Sequence, residues 1–338
     1  MLQGWHLPLL DDPAFMALQP LLQRSLLLAL PERLLTALRR QQPRSSQALI
    51  ALAEAAGEPQ RVLGLILCRR LNRSGSSWQV EHLRLPIGPS RPLDPSRLDV
   101  SAALVREAIQ RARSAASWFA TTSSLDRTRL ALLREQGFQP QRTDQLWRWR
   151  ASGSSCAGIP AGLQLVRLHP RTAPLLWHLE QATCPAQLRQ LLDRRIEDLL
   201  DQSGSRGWML VDGGRNEAVA AVRWLADCPD GGERIELSVH PLWQHLLGSP
   251  CERLLQACSS GSQPLWLTSE VGDRARQAWL RDLGAEPRQE EVLMARSVWR
   301  RSGAVPERPG VRRMEAVLEQ FQPRRTPLPT PIGPTTLS

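Results

Sequence analysis

The sequence predicts an α/β (α+β) protein built from two related domains in tandem. The segment from Thr121 to Arg150 recurs as the segment from Thr268 to Val298, with Asp126 aligned to Asp273 at an offset of 147 residues (126 to 273). Both copies also show the same order of strand and helix patterns. The chain length of 338 residues suits two domains of about 150 residues each. A repeat of about the length of one ordinary domain indicates two related domains.

The first copy begins with apolar residues at helical spacing between Asp12 and Arg40, which predicts two helices split at Pro31. Alternating or continuous apolar runs then predict strands at 48–53, 61–70, 78–85, 118–122 and 145–150. A loop rich in Pro and Ser occupies 86–95. Helices are predicted at 99–116, with Asp99 or Ser101 as cap, and from the N-cap Asp126 to Gly137.

The second copy repeats this order after a linker at 151–160. Strands are predicted at 163–168, 207–211, 218–225, 234–240, 264–268 and 292–299. Helices are predicted as a pair within 172–202, divided near Pro185, at 251–258, and at 273–284. In the last of these, Asp273 is the expected N-cap and Gly284 is expected to end the helix, as Gly137 does in the first copy. The expected domains are 1–150 and 161–301, followed by a tail at 302–338. In that tail we expect a short helix at 312–321 and then a disordered Pro- and Thr-rich segment.

The basic residues are all arginine, since the chain contains neither Lys nor Tyr, and its formal net charge is +10. The absence of Lys and Tyr excludes Schiff-base chemistry at a lysine and proton transfer by a phenol. The arginines are spread along the chain without a run of five, which favours a solvated basic surface over a nucleic-acid interface. Binding of an anionic nucleotide or RNA stays open only as the less favoured interpretation.

The six cysteines contain no C-x-x-C pair, which predicts reduced thiols in a cytoplasmic protein. The Leu-rich stretch from Leu21 to Leu30 is interrupted by Arg24 and Ser25, so we expect an amphipathic helix and not a membrane span. The start of the chain shows no basic region followed by an apolar core, as a secretory signal would. No cluster of ligands predicts a metal site, and no nucleophile elbow predicts a classical hydrolase.

The segment RIELSVHPLWQ, from Arg234 to Gln244, resembles the fourth strand and its exit in the GNAT superfamily of acetyl-CoA-dependent N-acyltransferases. Val239, Pro241 and Gln244 match the first three fixed positions of the pattern V-x-P-x-x-Q/R-x-x-G-x-G/A. The element order of both copies is similar to that family, and 130–138 and 277–285 resemble its closing helix. The resemblance implies, for each copy, a mixed and mostly antiparallel sheet flanked by helices. It also implies acetyl-CoA as acyl donor and an amine as acceptor.

The resemblance places the CoA pyrophosphate where the fourth strand gives way to a helix. Free backbone amides and the helix dipole favour an anion at such an N-terminus. The second copy departs from the pattern, because Leu247 and Ser249 replace its two small residues and Gly248 lies between them. The residues that the resemblance assigns to acyl-CoA binding are Val239, His240, Gln244, His245, Leu247, Gly248 and Ser249.

The first copy departs further from the pattern. The offset between copies is 155 residues at Glu81 and Glu236 and 147 after the Pro-rich loop, so this loop is eight residues longer in the first copy. Because each Pro lacks an amide donor, we expect no CoA binding there in the manner of the family.

The candidate catalytic base is Glu236 on the fourth strand of the second copy, and Glu81 holds the same position in the first. A structural hydrogen bond near a strand bulge is the alternative role for this matched pair. The position of the family's acidic Tyr holds Leu133 and Leu280. His240 and His245 flank the loop and are further candidates for a base or phosphate donor, or are incidental.

Two functions stay open at this point. The first is an N-acyltransferase with one active site, in the second copy. The second is a catalytically inactive tandem GNAT-like protein that binds a partner. Only the first requires an open acyl-CoA groove between the fourth and fifth strands of the second copy. The tandem arrangement is similar to an internal dimer, so we expect a monomer. The acceptor, the acyl chain and the role of the tail are left open.

Overall fold

A computed structural model describes residues 1–23, 26, 46–53, 60–87, 95–151, 158–203, 206–228, 231–259, 261 and 263–297. The second helix predicted before Arg40, most of the predicted Pro-rich loop and linker, and the predicted tail lie outside these residues. Met1–Val298 forms one compact unit, so the predicted boundary between the two copies falls inside a single body. None of the helices in the described part combines the length and the apolar character that a membrane crossing requires.

The first copy, residues 1–150, starts with a 3₁₀ turn at Gly4–Leu9 and a short helix, α1, at Pro13–Met16. The strands of its described part are β1 (Ser46–Ala53), β2 (Arg61–Arg70), β3 (Ser77–Arg84), β4 (Ser117–Ser123) and β5 (Gln139–Trp149). Two longer helices among the described residues are α2 (Arg97–Arg111) and α3 (Arg127–Glu135). The helix predicted at 99–116 thus begins earlier, because Ser96 and not Asp99 accepts the capping bond, from the amide of Asp99.

The second copy, from residue 161 onward, has strands β6 (Leu163–Arg167), β7 (Gly207–Asp212), β8 (Glu217–Asp227), β9 (Glu233–Val239), β10 (Leu265–Glu270) and β11 (Glu286–Ser297). Its α-helices are α4 (Ala173–Thr183), α5 (Ala186–Leu192), α6 (Ile196–Ser203), α7 (Ser249–Cys258) and α8 (Arg274–Asp282). The prediction of two helices within 172–202 was wrong. Asp193, at a left-handed φ of 45°, ends α5, and the chain restarts as α6.

The eleven strands found in the described part of the chain form one sheet in the order β1-β2-β3-β4-β11-β5-β10-β9-β8-β7-β6. The last strand of each copy is exchanged between the copies. Strand β11 of the second copy lies between β4 and β5 of the first, and β5 lies between β11 and β10. The sheet is mostly antiparallel, with parallel pairs only between β3 and β4 and between β9 and β10 among the described strands.

The exchanged strands complete the hydrophobic core of the opposite copy. Met294 on β11 is fully buried in the first copy's core, with Trp118 and Phe138. Trp147 and Trp149 on β5 are buried in the second copy's core, beneath α7 and α8. A cross-copy hydrogen bond joins Trp147 Nε1 to Ser269 Oγ at 2.9 Å. Each core therefore depends on a strand from the other copy.

Helices cover both faces of the sheet. Apolar residues of α2 and α3 in the first copy and of α7 and α8 in the second pack into the two cores on one face. On the opposite face, α4 and α6 pack against β7 and β8, and α5 reaches across to Phe119 of the first copy. The end of α5 and the helix α6 also accept hydrogen bonds from the turn that follows β2. Asn72 Nδ2 donates to the carbonyl of Asp193 at 2.9 Å, and the Arg73 amide donates to Asp198 Oδ1 at 2.6 Å.

Candidate functional site

The parallel strands β9 and β10 separate soon after they begin. They pair only at Glu233↔Leu265 and Arg234↔Trp266, although β9 continues to Val239 and β10 to Glu270. In the first copy, β3 and β4 stay paired over four positions, Ser77–Val80. Ligands of open α/β sheets bind at such crevices beyond the carboxyl ends of parallel strands. The earlier separation makes the second copy the more open of the two.

The loop predicted to bind CoA follows β9 directly. It contains a 3₁₀ helix at Pro241–Leu246 and leads through Gly248 to the N-terminus of α7. Gly248 has an extended backbone (φ 164°), and a Cβ added there would meet no atom within 4 Å. The turn therefore does not require glycine. Instead, Gly248 leaves open space in front of the helix, where the amides of Ser249 and Cys251 begin the first turn and Pro250 contributes none.

The predicted loop residues differ in accessibility. Val239 is buried in the second copy's core. His240 Nδ1 accepts a hydrogen bond from the amide of Leu242 at 3.2 Å, so this nitrogen caps the 3₁₀ helix. His245 is exposed, and its ring lies 5.3 Å from the ring of Trp243. Gln244 and Ser249 are exposed, while Leu247 is half-buried. The loop thus brings Gln244, His245, Leu247, Gly248 and Ser249 together beside the α7 N-terminus.

A cavity of about 340 Å³ adjoins this loop and is lined by Trp243, His245 and Asp212 among other residues. Asp212 ends β7, near the outer edge of the sheet. The cavity therefore lies on the outer side of the loop and not in the gap between β9 and β10.

An arginine reaches into the gap between the separated strands. Arg276 Nη1 donates to the carbonyl of Leu237 on β9 at 3.0 Å, and its Nε lies 3.3 Å from Asp273 Oδ2. The predicted N-cap role of Asp273 is confirmed, since its side chain accepts from the amide of Arg276. The guanidinium thus occupies the free backbone edge of β9. Leu280, at the position of the family's Tyr, is fully buried in the core.

The equivalent arginine of the first copy, Arg129, forms no hydrogen bond through its side chain to any described residue. Burial lowers its pKa, and the neighbouring charge of Arg84 lowers it further. Burial, followed by the charges of Arg84 and Arg129, also lowers the pKa of His82 to about 4. The first copy therefore holds two arginine side chains, Arg84 and Arg129, close to each other and to a neutral His82.

On the other face of the sheet, six side chains form what we call the central charged cluster. They come from β5, α4, the turn between α5 and α6, β8 and β9. Its members are Arg142, Asp144, Glu180, Arg194, Arg223 and Glu236.

Arg223, only 1% exposed, is paired through Nη2 with Glu236 Oε2. Its Nε lies 3.6 Å from Glu180 Oε1, and Arg194 Nη1 lies 3.7 Å from Glu180 Oε2. Ser238 Oγ donates to Glu180 Oε1 at 3.4 Å. Glu236 is therefore held closely by its arginine, whereas Glu180 is held through longer contacts.

The two glutamates of the cluster have opposite pKa shifts. Burial alone would raise the pKa of Glu236, but Arg223, then Arg194 and Arg142, outweigh it and lower the pKa to about 2. Burial raises the pKa of Glu180, and the nearby charge of Glu236 adds to this, against the opposing pull of Arg223. Neighbouring acids whose pKa values are driven apart are typical of acid–base sites. Of the two, Glu180 has the more basic carboxylate.

Glu81 and Glu236 hold equivalent positions, as the repeat predicts. Each lies three residues beyond a matched parallel pair, Trp78↔Trp118 and Glu233↔Leu265. Glu81 forms its own ion pair, with Arg69 Nε 2.6 Å from its Oε1. A Glu–Arg pair between neighbouring strands is therefore common to both copies, which favours the structural alternative for this position. The catalytic role of Glu236 stays a prediction.

Five members of the cluster were not predicted from the sequence, namely Arg142, Asp144, Glu180, Arg194 and Arg223. One signal was available, because Arg223 interrupts the apolar strand AVAAVRWLA. A charge in a buried strand requires partners, so this arginine alone predicts buried acids nearby. The identity of those acids depends on which helix crosses the strand and was not contained in the local pattern.

Comparison with known proteins identifies the architecture. No family model matches the sequence, and no curated protein matches it. Among solved structures, a GCN5-related N-acetyltransferase from Sphaerobacter thermophilus matches with a TM-score of 0.50 and 15% identity, over 79% of this chain and 85% of that one. A tandem GNAT protein from the clavulanic acid biosynthesis pathway matches with a TM-score of 0.50 and 16% identity, over 76% and 85%. The chain therefore has the GNAT fold in two tandem copies.

Proposed function

We propose that the protein is an acyl-CoA-dependent N-acyltransferase with a single site in the second copy. The observation that carries the proposal is the early separation of β9 and β10, with the CoA-type loop at its end and the central charged cluster on its other side. Acetyl-CoA is the donor that the GNAT fold suggests, and an amine is the acceptor. The acyl group and the identity of the amine stay open.

The residues of the donor side fit a CoA phosphate group. The α7 N-terminus offers amides to an anion, and the open space at Gly248 leaves room for it. Arg276, 18% exposed in the gap, is a candidate cation for this group, since its charge acts on Cys251 in the first turn of α7. Its bond to Leu237 would be exchanged for a bond to the ligand. Bound acetyl-CoA would supply an activated acyl group as a thioester.

The residues of the acceptor side fit an amine. Glu236, a carboxylate at neutral pH, would hold an ammonium group at the cluster. Glu180 would accept the amine proton, because its raised pKa makes it the stronger base of the pair. Arg223 lies between the two carboxylates and would keep them in position.

Calorimetric titration of acetyl-CoA into the full-length protein at low salt tests the donor site. We expect binding in the micromolar range that Gly248→Glu abolishes, because the new carboxylate would occupy the anion position. Gly4→Glu adds the same charge at another position with open space and should bind as the parent does. Absence of binding at millimolar acetyl-CoA would contradict the proposal.

The alternative is a catalytically inactive tandem GNAT-like protein that serves as a binding or scaffold module. Three observations favour it: Arg276 occupies the free edge of β9, Glu236 is engaged with Arg223, and Leu280 replaces the family's Tyr. This function predicts no acetyl-CoA binding, so the same titration separates the two.

A further inference from the structure

We propose that the acceptor of the second copy is a small zwitterion, such as an amino acid, held through its carboxylate by Arg142 and through its amine by Glu236. This inference rests on the proposed function and names the substrate class of that site. It makes the site a composite of both copies, because Arg142 belongs to the exchanged strand β5 of the first copy.

Strand exchange brings Arg142 to the site. Glu270, the last residue of β10, pairs with Asp144 on β5, and Arg142 lies two residues farther along β5, beyond the end of β10. Trp147 and Trp149 pack beneath α7 and α8, so the even-numbered residues Arg142 and Asp144 lie on the opposite face. They are therefore on the same side of the sheet as the central charged cluster.

Glu236 lies on that same face. Ile235 and Leu237, its neighbours on β9, pack beneath α7, so Glu236 points to the other side. Arg142 is near enough to lower the pKa of Glu236, after Arg223 and Arg194. The two side chains are 32% and 34% exposed, whereas Arg223 is 1% exposed. Arg142 and Glu236 are thus the accessible end of a charged cluster that is otherwise mostly buried.

Both accessible groups have unused hydrogen-bonding capacity. Arg142 donates through Nε to Asp144 Oδ2 at 2.9 Å, and its two terminal nitrogens bond no described residue. Glu236 uses Oε2 for Arg223, and its Oε1 bonds no described residue. A guanidinium matches a carboxylate through paired donors, and a free carboxylate oxygen accepts from an ammonium.

The charges around this opening favour a ligand that carries both signs. A simple amine would meet Glu236 but also the three guanidinium groups of Arg142, Arg194 and Arg223. A simple acid would meet Arg142 but also Asp144, Glu180 and Glu236. A zwitterion places each of its charges beside the opposite one, and so avoids the repulsion that either simple ion would meet.

The test compares amino acids with their amides, which keep the amine and lack the carboxylate. Each of the common amino acids and its amide is presented to the full-length protein with acetyl-CoA, and release of the free CoA thiol is followed. Binding without acetyl-CoA is measured in parallel by saturation-transfer NMR. We expect at least one amino acid with kcat/KM ten- to a hundredfold above its amide, roughly the range set by loss of a charge-assisted bond.

Variants of Arg142 then test the assigned contact. Arg142→Gln should raise KM for the amino acid about tenfold or more, leave kcat nearly unchanged, and remove the preference over the amide. Arg142→Lys should retain part of the preference, because it keeps the charge and loses the paired donors. Arg148→Gln is the matched control, since Arg148 lies on the same strand and face with 28% exposure and should behave as the parent.

The outcomes separate this inference from the proposed function. The inference is overturned, while acyl transfer stands, if the protein acylates amino acids and their amides equally well. The same holds if it binds both equally well, or if Arg142→Gln loses activity toward both to the same extent. Amino-acid binding that depends on Arg142, without transfer, supports the inference and refutes the transferase. Absence of amino-acid binding and transfer overturns the inference directly.

Discussion

At the scale of single residues, Arg223 determines the chemistry of the central charged cluster. It is almost fully buried and holds Glu236, while Glu180 shares its charge at a longer distance. A buried ion pair contributes little to stability overall, but removal of one partner leaves the other charge uncompensated. The stability of the cluster is therefore sensitive to any change that removes one charge. The pH dependence of the free energy of unfolding should report this sensitivity.

Glu236→Gln should change how stability depends on pH. The folded-state pKa of Glu236, about 2, is below the ordinary value of 4.5, so its stabilising contribution is present above about pH 4.5 and is lost as the pH falls toward 2. The contribution of Glu180 to stability depends on pH in the opposite direction, because its folded-state pKa is raised: stability is lost as the pH rises. In the variant, the acid-induced decrease in the free energy of unfolding should be smaller than in the parent by about 1–2 kcal/mol. This figure allows for solvent screening of the partly exposed Glu236 side chain.

Urea unfolding between pH 6 and pH 3 measures this dependence. Glu107→Gln, which removes a carboxylate from an exposed pair with Arg111, serves as the control. An identical acid-induced decrease in the parent and in Glu236→Gln would show that the Arg223 pair does not persist in solution.

The residue scale also shows what local sequence determines. Asp126 and Asp273 were predicted as N-caps, and both accept the expected amide bond. Gly137 and Gly284 were predicted to follow helices and have φ values of 82° and 77°. These features depend on a few neighbouring residues. The charged cluster was not predicted, because its members are brought together only by packing of α4 and β5 on the sheet.

At the scale of elements, the exchange of β5 and β11 is the defining feature. Most strands and helices were predicted close to their positions, and β2 was predicted at its observed bounds. Strands β5 and β11 begin earlier than predicted, at Gln139 and Glu286, because their first halves are polar and show no apolar alternation. The exchange itself was not predicted. The alternation of apolar residues along a strand determines which of its faces is buried, but it does not determine which strand lies beside it.

Met294→Ala tests the exchange. Met294 lies on the last strand of the second copy, yet it is buried in the same hydrophobic cluster as Phe138 of the first. Its strand partner is Pro140, two residues beyond Phe138. Truncation should lower the free energy of unfolding by about 2–5 kcal/mol. In a double-mutant cycle with Phe138→Ala, measured by urea unfolding, we expect a coupling of about 0.5–3 kcal/mol, as for residues in contact.

Met209→Ala provides the matched comparison. Met209 is also buried, but it packs in the second copy against α4 and α6. Its truncation should be additive with Phe138→Ala. If Met294 and Phe138 were additive as well, β11 would not lie in the first copy's sheet in solution.

At the scale of the whole molecule, the two copies share one sheet and contact each other through helices as well. Leu188 and Leu192 of α5 pack on Phe119, and Gln202 Nε2 donates to the carbonyl of Leu71 at 2.5 Å. A tandem repeat alone suggests two independent domains. Here neither core is complete without the other copy, so the cooperative unit is the pair.

The full-length protein should therefore unfold in one transition. We expect coincident urea curves from tryptophan fluorescence and far-UV circular dichroism, and a calorimetric enthalpy equal to the van't Hoff enthalpy. Gly232→Ala, where a Cβ would meet the carbonyl of Pro264 at 2.3 Å, perturbs only the second copy. It should shift the whole curve, and a displaced second transition would instead indicate independent domains.

The exchanged strands also constrain how the protein is made. During synthesis, β4 leaves the ribosome long before its neighbour β11 has been translated. At typical elongation rates this delay is on the order of ten to thirty seconds. Throughout that interval the edge of β4 is unpaired, and a nascent chain on a neighbouring ribosome could supply the missing strand. Folding of the amino-terminal half is thus coupled to completion of the carboxyl-terminal half, which exposes the nascent protein to intermolecular pairing that a simple two-domain chain would avoid.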